Sequence, residues 1–216
     1  MYLHRMYNYP HYKEPDKEEV LQFMKDHPFI CLIGCDAKRV ELTQVPVLIE
    51  EKEGKIFLYG HIAKKADHTN AFWENPNVLA LFTGPHVYVS GAWYTGNLQQ
   101  ASTWNYMSVH ARGKLQFLDE NALTELLKKL SLRFEKGNTA STTIYDNLPT
   151  EYLEKLKKAI VAFEIEVTEM DNVFKLSQNR DEKSYDNIVV ELKKQDGDAK
   201  EIGELMERRK SKVFSK

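Results

Sequence analysis

Cysteine is scarce in this sequence, with only Cys31 and Cys35 among 216 residues. Four residues of extended strand span roughly 13 Å, which is more than the Cα separation that a disulfide allows. We therefore expect two unpaired thiols that share one face of a strand. The sequence also has no secretory leader and no long apolar run, so it predicts a cytoplasmic protein without a membrane span.

The sequence also lacks a large excess of positive or negative charge. The formal net charge is −2 and the pI is about 6.4, so no global basic field indicates nucleic-acid binding. The best local candidate for DNA contact is the basic segment from Glu207 to Lys212, near the end of the chain. Such a segment is more typical of a solvated helix end, where cations suit the helix dipole.

Several standard catalytic motifs are absent. The sequence contains no GxGxxG, Walker A, HExxH or GxSxG string. Its seven histidines are scattered, and no pair of His or Cys has metal-ligand spacing on one element, so we expect no metal site.

What is present suits one packed domain. The composition is 42% hydrophobic, 29% charged and 11% aromatic, which is too apolar for a disordered chain. We expect a single domain over residues 1–216, with a helical C-terminal segment at about 181–210.

The hydrophobic periodicity predicts an α+β protein built on a small antiparallel barrel of about six strands, with inserted and C-terminal helices. Helices are expected at 63–74 and 119–135, after Pro149, and in the C-terminal third. Strand-like segments are expected at 29–34, 40–49, 56–59, 78–82, 87–90, 103–118 and 161–168.

The strand at 103–118 has two distinct faces. Met107, Val109 and Ala111 lie on one face, and the opposite face begins with the aromatic residues Trp104 and Tyr106. A contact with a ligand or a second subunit on that face is about as plausible as plain surface. We expect an obligate dimer to cover it.

Residues 58–65 form a candidate phosphate site. The pattern predicts a strand that passes through Gly60 into a helix starting at Ala63, with His61, Lys64 and Lys65 beside it. Backbone amides at a helix N-terminus attract phosphate, and lysine adds mobile positive charge. The alternative is two solvated lysines on a surface helix.

Two further segments carry candidate binding groups. Trp93, Thr103, Trp104 and Asn105 could stack on a planar ring and bond its edge, or could simply fill a barrel end. Residues 175–180 precede a helix, where Asn179 or Asp181 would make a good N-cap.

The order of these strings resembles the PaiB-like family of FMN-binding transcriptional regulators. The likeness rests on GPHVYVSGAWY at 84–94, TWNYMSVHARGKL at 103–115 and FKLSQNR at 174–180. It implies an FMN-binding split β-barrel related to pyridoxamine-phosphate oxidase, and a homodimer with FMN at the subunit interface. It also implies repression of degradative-enzyme and sporulation genes, and DNA enters as a partner by this resemblance only.

The resemblance assigns particular residues to FMN. His61 and Lys64 match positions on the phosphate side. The other matches are Trp93, Thr103, Trp104, Asn105, Lys175, Ser177, Gln178, Asn179 and Arg180. The chain departs from the family pattern at Gln44, where a histidine is usual, and after Lys65, where an Asn-Pro pair is missing. It also departs at Ala92 and Ser102, where the family usually has Ser and Pro.

Two other functions remain open at this stage. The first is an FMN-dependent oxidoreductase acting on a small planar substrate, because the flavin itself supplies redox steps. The second is a tetrapyrrole-binding protein in which His61, His86 or His110 is an axial ligand.

Overall fold

The structure is a computed structural model that describes residues 9–96 and 99–215. Over these residues the chain forms seven β-strands and six α-helices. The strands are β1 (Phe29–Cys35), β2 (Val40–Pro46), β3 (Leu48–Lys52), β4 (Lys55–Ala63), β5 (Asn77–Val89), β6 (Thr103–Phe117) and β7 (Ile160–Lys175). The helices are α1 (Lys17–Asp26), α2 (Asp67–Glu74), α3 (Glu120–Phe134), α4 (Thr150–Ala159), α5 (Glu182–Lys193) and α6 (Asp198–Phe214).

The strands form one sheet in the order β2-β1-β5-β6-β7-β4-β3. The pairs β1–β2, β1–β5, β3–β4 and β4–β7 are antiparallel. The described residues contain seven strands where about six were predicted, and the run at 40–49 divides into β2 and β3 around Pro46. A proline has no amide hydrogen to donate, and the next amide, that of Val47, donates instead to the carbonyl of Pro28.

The Gly84-Pro85 pair does not interrupt its strand. Two strands were predicted around this pair, but β5 runs unbroken from Asn77 to Val89. The pairing of β5 with β1 ends at Leu81, so Pro85 lies beyond it and costs that ladder no hydrogen bond.

The chain divides into two compact units. The first comprises Met1–Phe23, Thr83–Val109 and Asp171–Lys216, and the second comprises Met24–Phe82 and His110–Met170. The long strands β5, β6 and β7 each contribute residues to both units. The single-domain description of the chain stays a prediction.

The second unit is packed around α3. Asp119 caps this helix by accepting a hydrogen bond of 2.8 Å from the amide of Ala122. The buried face of α3 packs in one hydrophobic cluster that consists of Leu48, Leu123, Leu126, Leu130 and Ala162. The helix bounds agree with the sequence prediction. The helical spacing predicts a buried stripe of Leu123, Leu126, Leu127, Leu130 and Phe134, but Phe134, at the end of the helix, is 50% exposed.

The first unit has its core around the two C-terminal helices. Tyr185 of α5 is fully buried, and its hydroxyl donates to the carbonyl of Met206 in α6 at 2.8 Å. Ile188 and Leu192 of α5 and Ile202 of α6 are also fully buried. Helices were predicted here, and α6 continues four residues beyond the predicted limit of about 210.

The two faces of β6 are as predicted, with one exception. Met107, Val109 and Ala111 are buried, whereas Trp104 is 52% exposed. The alternation also places Ser108 on the same face as Trp104, but Ser108 is buried. Cys31 and Cys35 are both in β1 and both are free, as the strand geometry requires.

Candidate functional site

The predicted site residues fall into two groups. His61, Lys64 and Lys65 belong to the second unit, and the other nine belong to the first.

The predicted helix start at Ala63 is wrong. Strand β4 continues through Ala63, because His61 pairs with Ala162 and Ala63 with Ile160 of β7. Helix α2 begins only at Asp67. These strand partners are about a hundred residues away, so local periodicity could not reveal them.

Lys64 therefore lies in a turn and not on the first turn of a helix. Its amide donates to the carbonyl of Ala159 at 2.8 Å, and its exposed ammonium donates to the carbonyl of Lys157 at 3.2 Å. Helix α2 opens with Asp67, whose carboxylate disfavours an anion at that end. Any phosphate affinity here would come from the side chains of Lys64 and Lys65, which is also exposed.

His61 is half-buried, and its Nδ1 atom is buried with no hydrogen-bond partner within residues 9–96 and 99–215. Burial lowers the pKa of His61, so the imidazole is neutral near pH 7. The adjacent Gly60 is explained by packing. A Cβ there would lie 2.6 Å from the ring of Phe163 and 3.2 Å from the carbonyl of Pro46. This packing is a sufficient reason for a glycine at position 60, with no ligand needed to explain it.

In the first unit, a turn between β7 and α5 is tied to β6 by a buried hydrogen bond. Ser177 has a left-handed backbone with φ of 59°, and its hydroxyl donates to Oδ1 of Asn105 at 2.9 Å. Asn105 has no exposed surface, and its amide lies 3.4 Å from the sulfur of Met206. Both residues therefore support the turn from inside the fold.

A second bond links the same two segments nearer the surface. The ammonium of Lys175 donates to the hydroxyl of Thr103 at 2.5 Å, and it lies 5.9 Å from the centre of the Tyr12 ring. Burial and the nearby guanidinium of Arg180 lower the pKa of Lys175.

The remaining polar residues of the turn mostly satisfy the fold itself. The side chain of Gln178 donates to the carbonyl of Phe174 at 2.5 Å and accepts from the amide of Leu176 at 2.6 Å. Asn179 is exposed. Asp181 caps α5 by accepting from the amide of Ser184 at 2.9 Å, which confirms the predicted capping role of this segment.

Arg180 makes contacts that the sequence did not reveal. Its guanidinium lies 4.1 Å from the centre of the Tyr94 ring and donates to the side chain of Gln100. Neither its Nε nor the hydroxyl of Tyr94, both of which are buried, has a hydrogen-bond partner in the part of the chain that the structure describes. Tyr94 directly follows the predicted site residue Trp93, and this adjacency was the only feature of the sequence that could have indicated a role for Tyr94.

The exposed aromatic residues of the first unit lie together. Trp104 contacts the ring of Tyr88 edge-on, with the centroids 6.0 Å apart, and lies 6.2 Å from the ring of His86. Tyr88 is 50% exposed. Trp93 is half-buried in a short 3₁₀ helix, and its carbonyl accepts from Asn187.

The basic segment near the C-terminus is engaged in ion pairs. Arg209 and Lys212 both bond to Glu14 and Glu19, and Lys210 bonds to Asp186 at 2.8 Å. The side chain of Glu14 has no exposed surface. Burial would raise the pKa of Glu14, but hydrogen bonds from Lys212 and Arg209 outweigh it, so the pKa is lowered.

The described residues contain neither a membrane-spanning helix nor a cluster of metal-binding side chains. No helix within residues 9–96 and 99–215 has the length and apolar character needed to span a membrane. Over that part of the chain, no group of three or more His, Cys, Asp or Glu side chains is arranged to hold a metal ion.

Comparison with solved structures identifies the fold. The chain is similar to the FAD- and heme-binding protein from Mycobacterium smegmatis, with a TM-score of 0.57 and 14% identity over 76% of this chain and 73% of that one. It is also similar to the flavocytochrome Anf3 from Azotobacter vinelandii, with a TM-score of 0.51 and 18% identity over 79% and 72%. These likenesses confirm the predicted α+β split-barrel fold.

Comparison of sequences identifies the family. The chain is 32% identical to the protease synthase and sporulation protein PAI 2 of Bacillus subtilis (strain 168), over 94% of this chain and 97% of that protein. Residues 6–169 match the family model described as "Putative FMN-binding domain". The chain therefore belongs to this FMN-binding family, and FMN is the cofactor that the membership assigns to it.

Proposed function

We propose that this chain is an FMN-binding regulatory protein of the PaiB type. The observation that carries the proposal is the likeness to the sporulation protein PAI 2, which extends over nearly the full length of both chains. A match of that extent leaves no large segment of either protein unaccounted for. We further propose that the protein acts in the cytoplasm as a homodimer and that DNA is its regulatory partner.

The second unit supplies groups that fit the phosphate of FMN. Lys64 and Lys65 present exposed ammonium groups in a turn, and a phosphate supplies several acceptor oxygens. His61 adds a neutral imidazole whose Nδ1 has no hydrogen-bond partner among the described residues. We propose Lys64 as the main phosphate ligand, with His61 and Lys65 assisting.

The first unit supplies groups that fit the ring of a flavin. Trp93 and Trp104 offer partly exposed aromatic faces, and Thr103 and Lys175 offer polar atoms beside them. When bound, FMN would supply redox chemistry at its isoalloxazine ring. We propose that Lys175 and Arg180 hold positive charge next to the ring, while Asn105, Ser177 and Gln178 position the turn and Asn179 lies at its exposed edge.

The regulatory step requires two protein states that bind FMN, or its redox forms, with different affinity. DNA contact by the C-terminal basic segment is disfavoured, because Arg209, Lys210 and Lys212 are already paired with carboxylates. A DNA contact would therefore use another surface of the dimer.

The proposal is tested first by absorption of the purified protein after incubation with FMN. After gel filtration the protein should keep absorption bands at about 370 and 450 nm, which are characteristic of flavins. Transcripts of degradative-enzyme and sporulation genes should then rise in host cells that lack the protein and fall when it is restored.

A matched control is the Lys64→Ala variant expressed at the same level. If FMN controls the regulator, this variant should restore repression less completely than the wild type. Sustained turnover of NADH with a small planar substrate, together with unchanged transcripts, would contradict the regulatory function and favour the oxidoreductase.

A further inference from the structure

A cavity of about 350 Å³ opens in the first unit. It lies between the segment that precedes α1 and the C-terminal part of α6. The residues that line it are Pro10, His11, Lys13, Glu14, Pro15, Gln178, Arg209, Lys212 and Val213. Its volume falls within the range of small-molecule sites.

Cations outnumber acids on the walls of this cavity. Lys13, Arg209 and Lys212 face a single wall carboxylate, that of Glu14. The oxygens of Glu14 are already used, because one accepts from the amide of Asp16 and from Lys212, and the other accepts from Arg209. Glu19, which is not a wall residue, shares Arg209 and Lys212 with Glu14. Lys13 is therefore the wall cation that makes no hydrogen bond to a carboxylate, although Asp171 behind the wall offsets its charge.

The ammonium of Lys13 forms an ion pair with Asp171 but donates no hydrogen bond to a described residue. Its Nζ atom is shielded from solvent and has no hydrogen-bond partner among the described residues. The carboxylate of Asp171 lies 3.6 Å away, which is beyond the normal length of a hydrogen bond. An ammonium carries three donors, and leaving them unsatisfied away from water is costly. A bound anion would relieve that cost.

We propose that this cavity binds a small phosphate-bearing molecule that is distinct from FMN. Lys13 would be the principal donor, and His11 would lie at the exposed rim. A phosphate group presents several acceptor oxygens and double negative charge, which matches an unsatisfied ammonium next to a guanidinium. The cavity has room for an organic group attached to the phosphate. Such a ligand would contact both the segment before α1 and α6. It would be a second small molecule, besides FMN, to which the protein responds.

The test is titration calorimetry with inorganic pyrophosphate on the full-length, FMN-loaded protein. We expect saturable binding with one site per chain. The Lys13→Met variant keeps the aliphatic stem but removes the charge, and it should bind pyrophosphate about tenfold more weakly or worse. Lys13→Arg should stay within a few-fold of the wild type. Lys17→Met, which alters an exposed lysine at the start of α1, is the matched control and should leave binding unchanged.

Three results would overturn the proposal. The first is no saturable binding to the wild type, a result that does not depend on any variant folding. The second is an equal loss in Lys13→Met and Lys17→Met, which would indicate only diffuse attraction. The third is competition between pyrophosphate and FMN, with FMN itself weakened by Lys13→Met, since the cavity would then belong to the cofactor. A thermal melt of each variant shows whether it is folded before it is titrated.

Discussion

The hydroxyl of Ser177 and the side-chain carbonyl of Asn105 form a hydrogen bond of 2.9 Å between residues 72 positions apart, and both residues are buried. The serine has a left-handed backbone, which is unfavourable for a residue other than glycine. The hydrogen bond therefore helps to hold the turn that carries Lys175 and Arg180.

Ser177→Ala should lower the free energy of unfolding by about 1–3 kcal/mol, because it leaves the Asn105 carbonyl buried without a donor. Ser177→Gly should be less harmful than Ser177→Ala, since glycine accepts the left-handed conformation. Urea denaturation measures both effects. Ser211→Ala on the exposed surface of α6 is the control and should change stability by less than about 0.5 kcal/mol. Equal stabilities for Ser177→Ala and this control would show that the bond contributes nothing.

Glu14→Gln should destabilise the protein at pH 7 and much less in acid. The pKa of Glu14 in the folded protein is lowered below its ordinary value of 4.5 by its bonds to Lys212 and Arg209. The carboxylate therefore stabilises the fold above pH 4.5, and this stabilisation is lost as the pH falls through the lower, folded-state pKa. The loss at pH 7 should be about 1–3 kcal/mol, as for hydrogen bonds to charged groups.

Urea denaturation of wild type and Glu14→Gln across a pH series tests this expectation. The gap between the two proteins should narrow steadily below pH 4.5. The exposed Glu18→Gln change on α1 is the control and should show no such narrowing. A gap that stays constant down to acid pH would mean that packing, and not the charge of Glu14, makes the difference.

Lys64→Ala should weaken FMN by about tenfold or more, the effect of removing a hydrogen bond to a charged group. Riboflavin lacks the phosphate, so it should bind the wild type and the variant almost equally. Flavin fluorescence titration compares both ligands. Lys65→Ala provides the neighbouring control and should cost less, since Lys64 is the proposed main ligand. An equal loss of riboflavin binding would assign Lys64 to the fold or to the ring.

Trp104→Glu should convert the proposed dimer into a monomer at low micromolar concentration. The indole is 52% exposed and adjoins the half-exposed ring of Tyr88, and a buried glutamate at an interface would lack a partner. Sedimentation equilibrium gives the mass. Val190→Glu, at an equally exposed position on α5, is the matched control and should remain dimeric. A monomeric wild type would refute the dimer itself.

Local patterns predicted the parts of the structure that local physics controls. The alternation along β6 correctly separated buried Met107 and Val109 from exposed Trp104. The spacing of Leu123, Leu126 and Leu130 correctly indicated the buried face of α3. In each case one side of an element faces the core, so the sequence period repeats the structural period.

Distant pairing is what the sequence could not reveal. The helix placed at Ala63 is a strand there, because Ile160 offers it a backbone partner nearly a hundred residues away. The reason for Gly60 is equally distant in the sequence, because the ring of Phe163 occupies the space that a side chain would need. Likewise, nothing near Glu14 in the sequence indicates that this carboxylate is buried.

The partners of Glu14 have a consequence for how the chain is made. Arg209 and Lys212 lie 195 and 198 residues after it, so during synthesis the carboxylate has neither positive partner until nearly 200 further residues have been made. Contacts of such long sequence separation form late because loop closure must come first. The segment before α1 should therefore become ordered late in folding, after α6 has left the exit tunnel.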